Sequence, residues 1–538
     1  MTTAPEPPAH AYEFRPGLLR ALGRPEAVAI VVGNVIGSGI FAKPGAIAVQ
    51  LGDFRLILLA WLVGGGLCVL GALCFAELAA MLPRAGGLYV YLREAYGPLP
   101  AFLMGWTDFL FSRPGSIGAL AVFFTTTLAT LLPEGVVLNT FWALVVPISV
   151  ILGLAFVNIA GVVWGGRVQD WTTLVKAGFV LFVAVLPFVM GGFSVESLTS
   201  RAPAKSEAVS VNFAMALLAV MWAYNGWHEV TPVAEEIRDP QRNLPFALFT
   251  GIGILIFLYV SANIAYHSVL SMEEVQQAGR TDQSVAPLAV TRLIGPIGGG
   301  VMAVALMCSA FGALNSNLLV GPRVAFALGR DRVFFPQLGR VHVTNQTPSV
   351  AISIQAMMAV GLVVASHFLV QHVAYFKSKS IFDVLTDFVI FGMSVFYALS
   401  AAAVIVLRIK HPEWPRPYKT LGYPFVPVFF VGIYVWFLWQ VYHQNPFESR
   451  AGLALIALGV PVFLLFWLWG RAQAATALLR DDDEPDPTAP AKTQTERLMA
   501  KRLHPFTPDR PVRSSTFCQS MSCRLARHGL PGRFLADS

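Results

Sequence analysis

Long stretches of apolar residues recur along the whole chain, and they constrain its fold more than any other feature. Examples are LILLAWLVGGGLCVLGALCFA (56–76), LVKAGFVLFVAVLPFVM (174–190) and LFTGIGILIFLYVSANIAY (248–266). A helix of about 20 such residues crosses the roughly 30 Å hydrocarbon layer of a bilayer. Only 13% of the residues are charged, about half the share found in soluble domains. The sequence therefore predicts an all-α polytopic membrane protein.

The apolar runs predict about twelve transmembrane helices. They are placed near residues 25–50, 55–82, 98–131, 140–161, 168–190, 211–235, 245–268, 286–328, 348–369, 382–407, 424–442 and 451–471. The eighth is too long for one crossing and is expected to include a cytoplasmic segment. This transmembrane domain, 25–471, lies between a cytoplasmic N-terminal segment, 1–24, and a charged, Pro-rich tail, 472–538, whose composition predicts disorder.

Lys and Arg concentrate in the loops that share a side with the N-terminus in this topology. Because cytoplasmic loops are enriched in these residues, we expect a multi-pass protein of the cell (inner or plasma) membrane with both termini in the cytoplasm. The net charge of +7 then reflects topology, and no nucleic-acid partner is expected. The five cysteines, three in apolar segments and two in the tail, indicate no disulfide framework. Neither a metal site nor a cofactor is expected.

Two of the predicted membrane helices carry residues that interrupt a helix. The first contains GNVIGSGIFAKPG (33–45), and the sixth contains WAYNGWHEVTP (222–232). Glycine costs about 1 kcal/mol relative to alanine inside a helix, and Asn-Gly favours a turn. Irregular backbone at membrane depth survives only where it is buried in protein or lines a cavity. Interruptions in the first and sixth spans predict a five-plus-five inverted repeat with a central binding site.

The chemistry of such a site follows from the freed peptide groups. Unwinding at Gly37, Ser38 and Gly39 exposes N–H groups at the positive end of a helix, which attract a carboxylate by about 0.3–1 kcal/mol or more. Spare carbonyls at the ends of the inner halves attract an ammonium, and they belong to residues Val35, Ile36, Trp222 and Ala223. Together these groups fit an α-amino acid zwitterion. A second explanation stays open, in which the glycines only let helices pack closely.

Several motifs, in chain order, resemble those of the amino acid–polyamine–organocation superfamily. Within it, the chain is most similar to L-type amino acid transporters and bacterial serine/threonine exchangers. The motifs are IGSGIF (36–41), FAELAAMLPRAGGLYVYLREAYGPLPAFLMGW (75–106), RVQDWTTLVK (167–176), WAYNGWHEV…AEEIRDPQRNLP (222–245), ALNSNLLVGPRVAFALGRD (313–331) and RPYKTLGYPFVP (416–427). The resemblance covers roughly residues 20–470.

The resemblance implies a substrate site at the two interruptions. It places the substrate carboxylate at the backbone amides around Ser38 and Gly39. It places the amine at the carbonyls near Val35, Trp222 and Ala223. Trp222 stands at the family's aromatic gate, Asn225 where many L-type members have glycine, and His228 where asparagine is more familiar. These departures favour small or polar neutral amino acids. The full predicted set is Val35, Ile36, Gly37, Ser38, Gly39, Trp222, Ala223, Asn225, Gly226 and His228.

Four further residues are candidates for coupling or structure: Lys176, its expected partner Gly33, Asn315 and Glu229. The resemblance implies that Lys176 replaces a sodium ion and bonds near Gly33; burial could let it carry a proton, and a lysine reaching the interface is the alternative. Asn315 lines the ligand path or joins helices. Glu229 is expected to be structural, paired across the bundle. His228 either senses pH or substrate, or plugs the break, and Asp108 with Arg113 is expected to form a buried ion pair.

The sequence thus predicts a transporter of neutral L-amino acids that works by alternating access without sodium, as an exchanger or coupled to protons. It is not expected to be an enzyme, since no catalytic cluster is found. Two alternatives stay open: a membrane sensor that binds an amino acid without moving it, and a transporter of cationic amino acids or polyamines from the same superfamily. The loop LLPEGVVLNT (131–140) has no cysteine, so no disulfide-linked heavy chain is expected. The expected partners are the amino acid, the lipid bilayer and, with proton coupling, protons.

Overall fold

The computed structural model describes residues 20, 22–133, 139–205, 207–281, 283–342, 347–373 and 381–481. Side chains are described over the same ranges except for residues 162–167, 383, 384, 388 and 470–481. The predicted N-terminal segment, the C-terminal tail and part of the loop 131–140 therefore lie mostly outside the described residues.

The described chain is α-helical, with short π and 3-10 segments and two isolated β-bridges. The helices of the first half are α1 (Arg24–Val35), α2 (Gly39–Leu51), α3 (Phe54–Met81), α4 (Leu88–Tyr96), α5 (Pro98–Thr107), α6 (Arg113–Ala129), α7 (Thr140–Ala160), α8 (Val162–Val189), α9 (Val195–Thr199) and α10 (Val209–Tyr224). Those of the second half are α11 (Pro240–Val269), α12 (Met272–Arg280), α13 (Val285–Ile294), α14 (Pro296–Val320), α15 (Pro322–Arg330), α16 (Ser349–His372), α17 (Ile381–Lys410), α18 (Phe425–Gln444) and α19 (Pro446–Asp481).

Within the described ranges, nine helices are long and apolar enough to cross a membrane, or ten when the bent pair α1–α2 is counted as one span. The count falls short of twelve where the chain departs from a regular helix. The predicted third span consists of α5 and α6 joined by a π-helical segment, Asp108–Ser112, and α10 has only 16 residues. Membrane crossings at these two places stay a prediction, as does the inverted repeat.

The predicted span 286–328 divides at Gly295, whose φ of +78° ends α13. The following 35 residues, Pro296–Arg330, form one apolar helical stretch that is long enough to cross a membrane. At 1.5 Å per residue this stretch exceeds the roughly 30 Å hydrocarbon layer, so a cytoplasmic segment within the predicted span stays a prediction.

Large apolar side chains cover the outside of the bundle. Phe156, Trp171 and Phe425 are 72%, 71% and 78% exposed, which a water-soluble surface seldom tolerates in such numbers. Polar and charged side chains instead lie inside, including Asp108 and Lys176, both with no exposed surface. This inversion fits lipid as the surrounding solvent and places the polar chemistry around the helix interruptions.

Candidate functional site

The first interruption is a three-residue bend between α1 and α2. It consists of Ile36, Gly37 and Ser38, and the helix axes on either side differ by 41°. Among the described residues, no acceptor pairs with the backbone N–H groups of Gly37, Ser38 or Gly39. Because unpaired backbone donors are costly away from water, three neighbouring ones indicate a place where a ligand supplies the acceptor.

The second interruption follows α10. Residues 225–233 form turns, and only a 3-10 turn, Ala234–Glu236, precedes α11. The structure thus differs from the predicted span 211–235, since the described chain has no second helical half after Tyr224. Gly226 has a φ of +100°, which glycine adopts readily, and Pro232 lacks the N–H group that a helix would use.

Tyr259 on α11 connects the two interruptions. Its hydroxyl oxygen lies 2.9 Å from the Val35 carbonyl oxygen and 3.1 Å from that of Ala223. The Trp222 carbonyl accepts a hydrogen bond from the Asn225 N–H at 3.0 Å. The carbonyls that the sequence leaves spare therefore already have partners. Each carbonyl oxygen has two lone pairs, so a substrate ammonium can still be accepted.

Helices α8 and α14 hold the first interruption from behind. Lys176 is fully buried, and its Nζ donates a hydrogen bond to the Gly33 carbonyl. The Ser309 hydroxyl donates to the Gly37 carbonyl at 3.0 Å and lies 3.4 Å from that of Ile36. Both contacts fix the carbonyl side of the bend, which leaves its N–H groups toward the other side.

Gly39 brings the two interrupted helices into backbone contact. A Cβ atom added there would lie 2.3 Å from the Ala223 Cα, which no side-chain adjustment relieves. Close helix packing, one of the two explanations left open by the sequence, therefore accounts for this glycine. At Gly37 an added Cβ would lie 3.3 Å from the Ala313 Cβ, a contact that a small shift relieves.

A cavity of about 40 Å³ lies where the two interruptions meet. One water needs roughly 10–15 Å³ on this scale, so the cavity holds about three water-sized bodies. The predicted residues that line it are Val35, Gly37, Ser38, Gly39, Trp222, Asn225, Gly226 and Glu229. The predicted residues outside its lining are Gly33, Ile36, Lys176, Ala223, His228 and Asn315. The lining residues not proposed for the site are Asn34, Asp108, Ser112, Arg113, Ser116, Leu120, Ala313, Asn317, Met393 and Tyr397.

Trp222 covers the cavity on the side of α17. Its indole Nε1 donates to the Ser38 hydroxyl at 3.3 Å, and its ring meets Phe382 edge-on at 5.8 Å between centroids. Asn225 accepts a hydrogen bond from the Tyr397 hydroxyl at 3.1 Å through its Oδ1. These two side-chain hydrogen bonds, Trp222 to Ser38 and Tyr397 to Asn225, make the lining of the cavity partly polar.

A buried ion cluster forms one wall of the cavity. Arg113 Nη2 lies 2.5 and 2.6 Å from the two carboxylate oxygens of Glu229, and its Nε lies 3.1 and 3.3 Å from those of Asp108. Arg113 Nη1 also donates to the Asn317 Oδ1 at 3.3 Å. His228 stands behind Glu229, with 3.3 Å between its Nε2 and the nearer Glu229 oxygen. The ion pair and the cross-bundle partner expected separately for Asp108 and Glu229 are thus one cluster with a shared arginine.

Asn315 and Asn317 face different sides of α14. Asn315 accepts a hydrogen bond from Asn158 of α7 at 2.9 Å, whereas Asn317 faces the cavity. Residues two positions apart on a helix point about 200° away from each other. Hydrophobic periodicity alone does not show which of Asn315 and Asn317 faces the cavity. Tyr259 and Tyr397 were likewise missed, because buried tyrosines in apolar spans give no sequence signal for the groups that they contact.

The described residues contain no group of three or more His, Cys, Asp or Glu side chains placed to hold a metal ion. Cys68 and Cys74 are buried as free thiols, and Cys308 is half-buried. The chemistry that the site offers consists of hydrogen bonds, backbone dipoles and buried charges.

Comparisons with known proteins identify the family of the chain. The family of amino acid permeases matches residues 22–466. The "Serine/threonine exchanger SteT" of Bacillus subtilis is 32% identical over 450 residues, which cover 83% of this chain and 97% of that protein. The "Large neutral amino acids transporter small subunit 2" of Rattus norvegicus is 31% identical over 87% of this chain and 84% of its own length. The human "Asc-type amino acid transporter 1" is 29% identical over 85% and 84%.

A family match over most of the chain, with relatives covered almost end to end, is the level of similarity at which fold and general activity are shared. The polar cavity between interrupted membrane helices is the corresponding feature of the structure. The chain therefore belongs to the amino acid permease family of the amino acid–polyamine–organocation superfamily, and it is a multi-pass membrane transporter rather than an enzyme.

Proposed function

We propose that this permease carries small neutral L-amino acids across the cell membrane by alternating access and exchanges them without sodium. The observation that carries the proposal is the cavity at the two interruptions, with unpaired N–H groups at Gly37, Ser38 and Gly39. These donors fit a carboxylate. The second lone pairs of the nearby carbonyls fit an ammonium.

The proposed substrates are small and polar. A cavity of about 40 Å³ is too small for a leucine or aromatic side chain without movement of its walls. Trp222 and Asn225 narrow it, and the Arg113 cluster gives it a charged wall on which an aliphatic side chain would gain little. Serine, threonine and alanine satisfy these limits, and a serine/threonine exchanger is among the relatives.

Sodium independence is supported by Lys176. Its buried Nζ donates to the Gly33 carbonyl next to the bend, so a side-chain donor already occupies this place beside α1. A sodium ion would need the same carbonyl oxygen as a ligand. We infer that Lys176 takes the place that sodium would otherwise occupy.

The proposal includes about twelve spans in a five-plus-five inverted repeat, with both termini in the cytoplasm. The transmembrane domain is proposed to cover residues 25–471. No disulfide-linked partner is proposed, because the loop 131–140 contains no cysteine in the sequence.

Counterflow in proteoliposomes tests the function. Vesicles with purified protein are loaded with unlabelled serine and diluted into labelled serine in choline buffer; empty vesicles without protein are the control. We expect serine uptake that rises with internal serine and does not change when sodium replaces choline. Unlabelled threonine and alanine should compete, and leucine and arginine should compete poorly. Saturable binding without flux would instead indicate a sensor, and preference for arginine would indicate a cationic amino acid transporter.

A further inference from the structure

The charges around the substrate cavity do not balance. Asp108 and Glu229 contribute two carboxylates, and Arg113 is the one cationic side chain among the described lining residues. All three side chains are at least nine-tenths buried. With His228 neutral, the cluster carries one excess negative charge in a region of low dielectric, where an unpaired charge is costly. A cation of unit charge is needed to complete it.

The two carboxylates are not equally well paired. Glu229 takes both contacts from Arg113 Nη2, at 2.5 and 2.6 Å, and also faces His228. Both oxygens of Asp108 share a single Nε–H of Arg113, at 3.1 and 3.3 Å. No other described side chain donates a hydrogen bond to Asp108, although it has no exposed surface. The excess charge therefore belongs to Asp108.

His228, the neighbour of Glu229, does not supply the missing positive charge. His228 is fully buried, and its Nδ1 has no hydrogen-bond partner among the described groups. A proton on this Nδ1 would be a buried donor without an acceptor, which is costly. The imidazole is therefore assigned as neutral, with its proton on the Nε2 that faces Glu229 at 3.3 Å, and it does not balance Asp108. The ring is held between Phe75, Trp227 and Tyr397, which leaves it little freedom to turn toward the third span.

The described side chains that face the Asp108 segment from the other elements packed against it supply no balancing charge either. Tyr397 of α17 faces the cluster as a neutral phenol, and α5 contains no titratable residue. Arg323 of α15 is engaged by Glu236 at 3.2 Å, and the histidines of α16, His367 and His372, lie in its last turns.

We propose that Asp108 binds one proton from the cavity and that this proton crosses the membrane together with the amino acid. The inference rests on the proposed function and adds the coupled ion. A proton fits better than a metal cation because it bonds to the carboxylate itself. A metal ion would need several oxygen ligands next to the guanidinium of Arg113, which would repel it.

The step is a simple transfer. Water delivers a proton to the Asp108 carboxylate, which becomes a neutral acid, and Arg113 with Glu229 remains a neutral pair. With the zwitterionic substrate and the proton bound, the protein reorients and opens the cavity to the other side, so one positive charge moves with each amino acid. There the amino acid leaves, the acid returns the proton to water, and the carboxylate is restored. Reorientation of the empty protein completes net uptake, whereas return with a second amino acid gives exchange.

The experiment uses the full-length protein in proteoliposomes with the membrane potential clamped by potassium and valinomycin. The outside is made one pH unit more acidic than the inside, labelled serine is added, and a trapped pH dye reports the interior. We expect accumulation that approaches about tenfold for one proton per serine, together with acidification of the interior. Counterflow at equal pH is measured in the same vesicles.

Asp108→Asn imitates the protonated acid. We expect it to lose both pH-driven accumulation and dye acidification. Its counterflow at equal pH shows whether the loss is confined to the coupled proton. The matched control is Asp387→Asn on α17, which removes a carboxylate that lies outside the cavity and accepts from Asn445 at 3.2 Å; it should keep all three activities.

The possible failures can be told apart. Wild-type counterflow without pH-driven accumulation or acidification would overturn the proton site and leave the proposed function standing. Accumulation by Asp108→Asn would show that another group carries the proton. Accumulation driven by a sodium gradient instead would identify sodium as the cation. Absence of both counterflow and uptake would reject the proposed function. The wild-type dye measurement decides even where the variant does not fold.

Discussion

Removal of one hydroxyl group tests whether the two helix interruptions act together. In Tyr259→Phe the aromatic ring stays and only the oxygen is lost, so packing of α11 against its neighbours changes little. The oxygen lies 2.9 Å from the Val35 carbonyl and 3.1 Å from the Ala223 carbonyl. Both carbonyls belong to the final turns before the interruptions, and no other side chain contacts both of them in the described structure.

The size of the effect follows from the hydrogen bond that is lost. A hydroxyl donates one proton, so the two carbonyls share one hydrogen bond. A neutral hydrogen bond contributes about 0.5–1.5 kcal/mol, which corresponds to a factor of about 2 to 13. If the bond forms in one conformation of the transport cycle and not in another, this factor appears in the rate of exchange. If it forms in all of them, the loss appears as lower thermal stability with an unchanged rate.

Tyr266 of the same helix supplies a matched control. It is fully buried, and its hydroxyl has no hydrogen-bond partner among the described groups, so Tyr266→Phe removes the same atom without a bond. Initial rates of serine counterflow and thermal unfolding in detergent are measured for both variants. We expect a 2- to 13-fold slower exchange for Tyr259→Phe and wild-type behaviour for Tyr266→Phe. Equal rates and equal stabilities for the two variants would refute the proposed link.

Four further variants, at three positions, test the cavity and the bend beside it. Gly37→Ala should fold and transport, since the closest neighbour of its Cβ is the Ala313 methyl group at 3.3 Å. Gly37→Val should fill the cavity and weaken serine binding at least tenfold in a binding assay; equal binding by both variants would contradict the cradle. Asn225→Gly removes the acceptor of the Tyr397 hydroxyl and should admit leucine as a competitor; unchanged selectivity would count against this position. Lys176→Met should slow exchange about 10- to 150-fold, from a charged hydrogen bond of about 1.5–3 kcal/mol, at normal membrane expression; full activity would show that the ammonium is dispensable.

The sequence predicts the membrane helices well where one residue pattern dominates. Apolar runs such as 56–76 become single helices because a membrane requires every backbone hydrogen bond to be satisfied within the segment. Predictions diverge from the structure where local geometry interrupts that rule. The π segment Asp108–Ser112 and the turns after Tyr224 depend on tertiary contacts, which hydropathy does not register.

The backbone part of the candidate site could also be read from the sequence. The small residues Gly37, Ser38 and Gly39 interrupt an apolar run that is long enough to cross a membrane, and the structure bends at residues 36–38. The side-chain part could not be read in the same way. Arg113 and Glu229 are 116 residues apart in the chain, and no sequence pattern predicts that their side chains meet. Tyr259 contacts both interruptions through one atom, which no periodic pattern encodes.

This difference between backbone and side chains has a consequence for specificity. Backbone N–H and carbonyl groups are the same in every residue, so the cradle at the bend recognises what all α-amino acids share. Discrimination must then come from the opposite wall, where Arg113, Asp108, Asn317 and Tyr397 replace the apolar surface that a leucine side chain would need. A charged wall also binds a proton more readily than an apolar one. The proposed selection of small polar substrates and the proposed coupling to protons would therefore follow from the same arrangement, and a variant that makes this wall apolar should change both together.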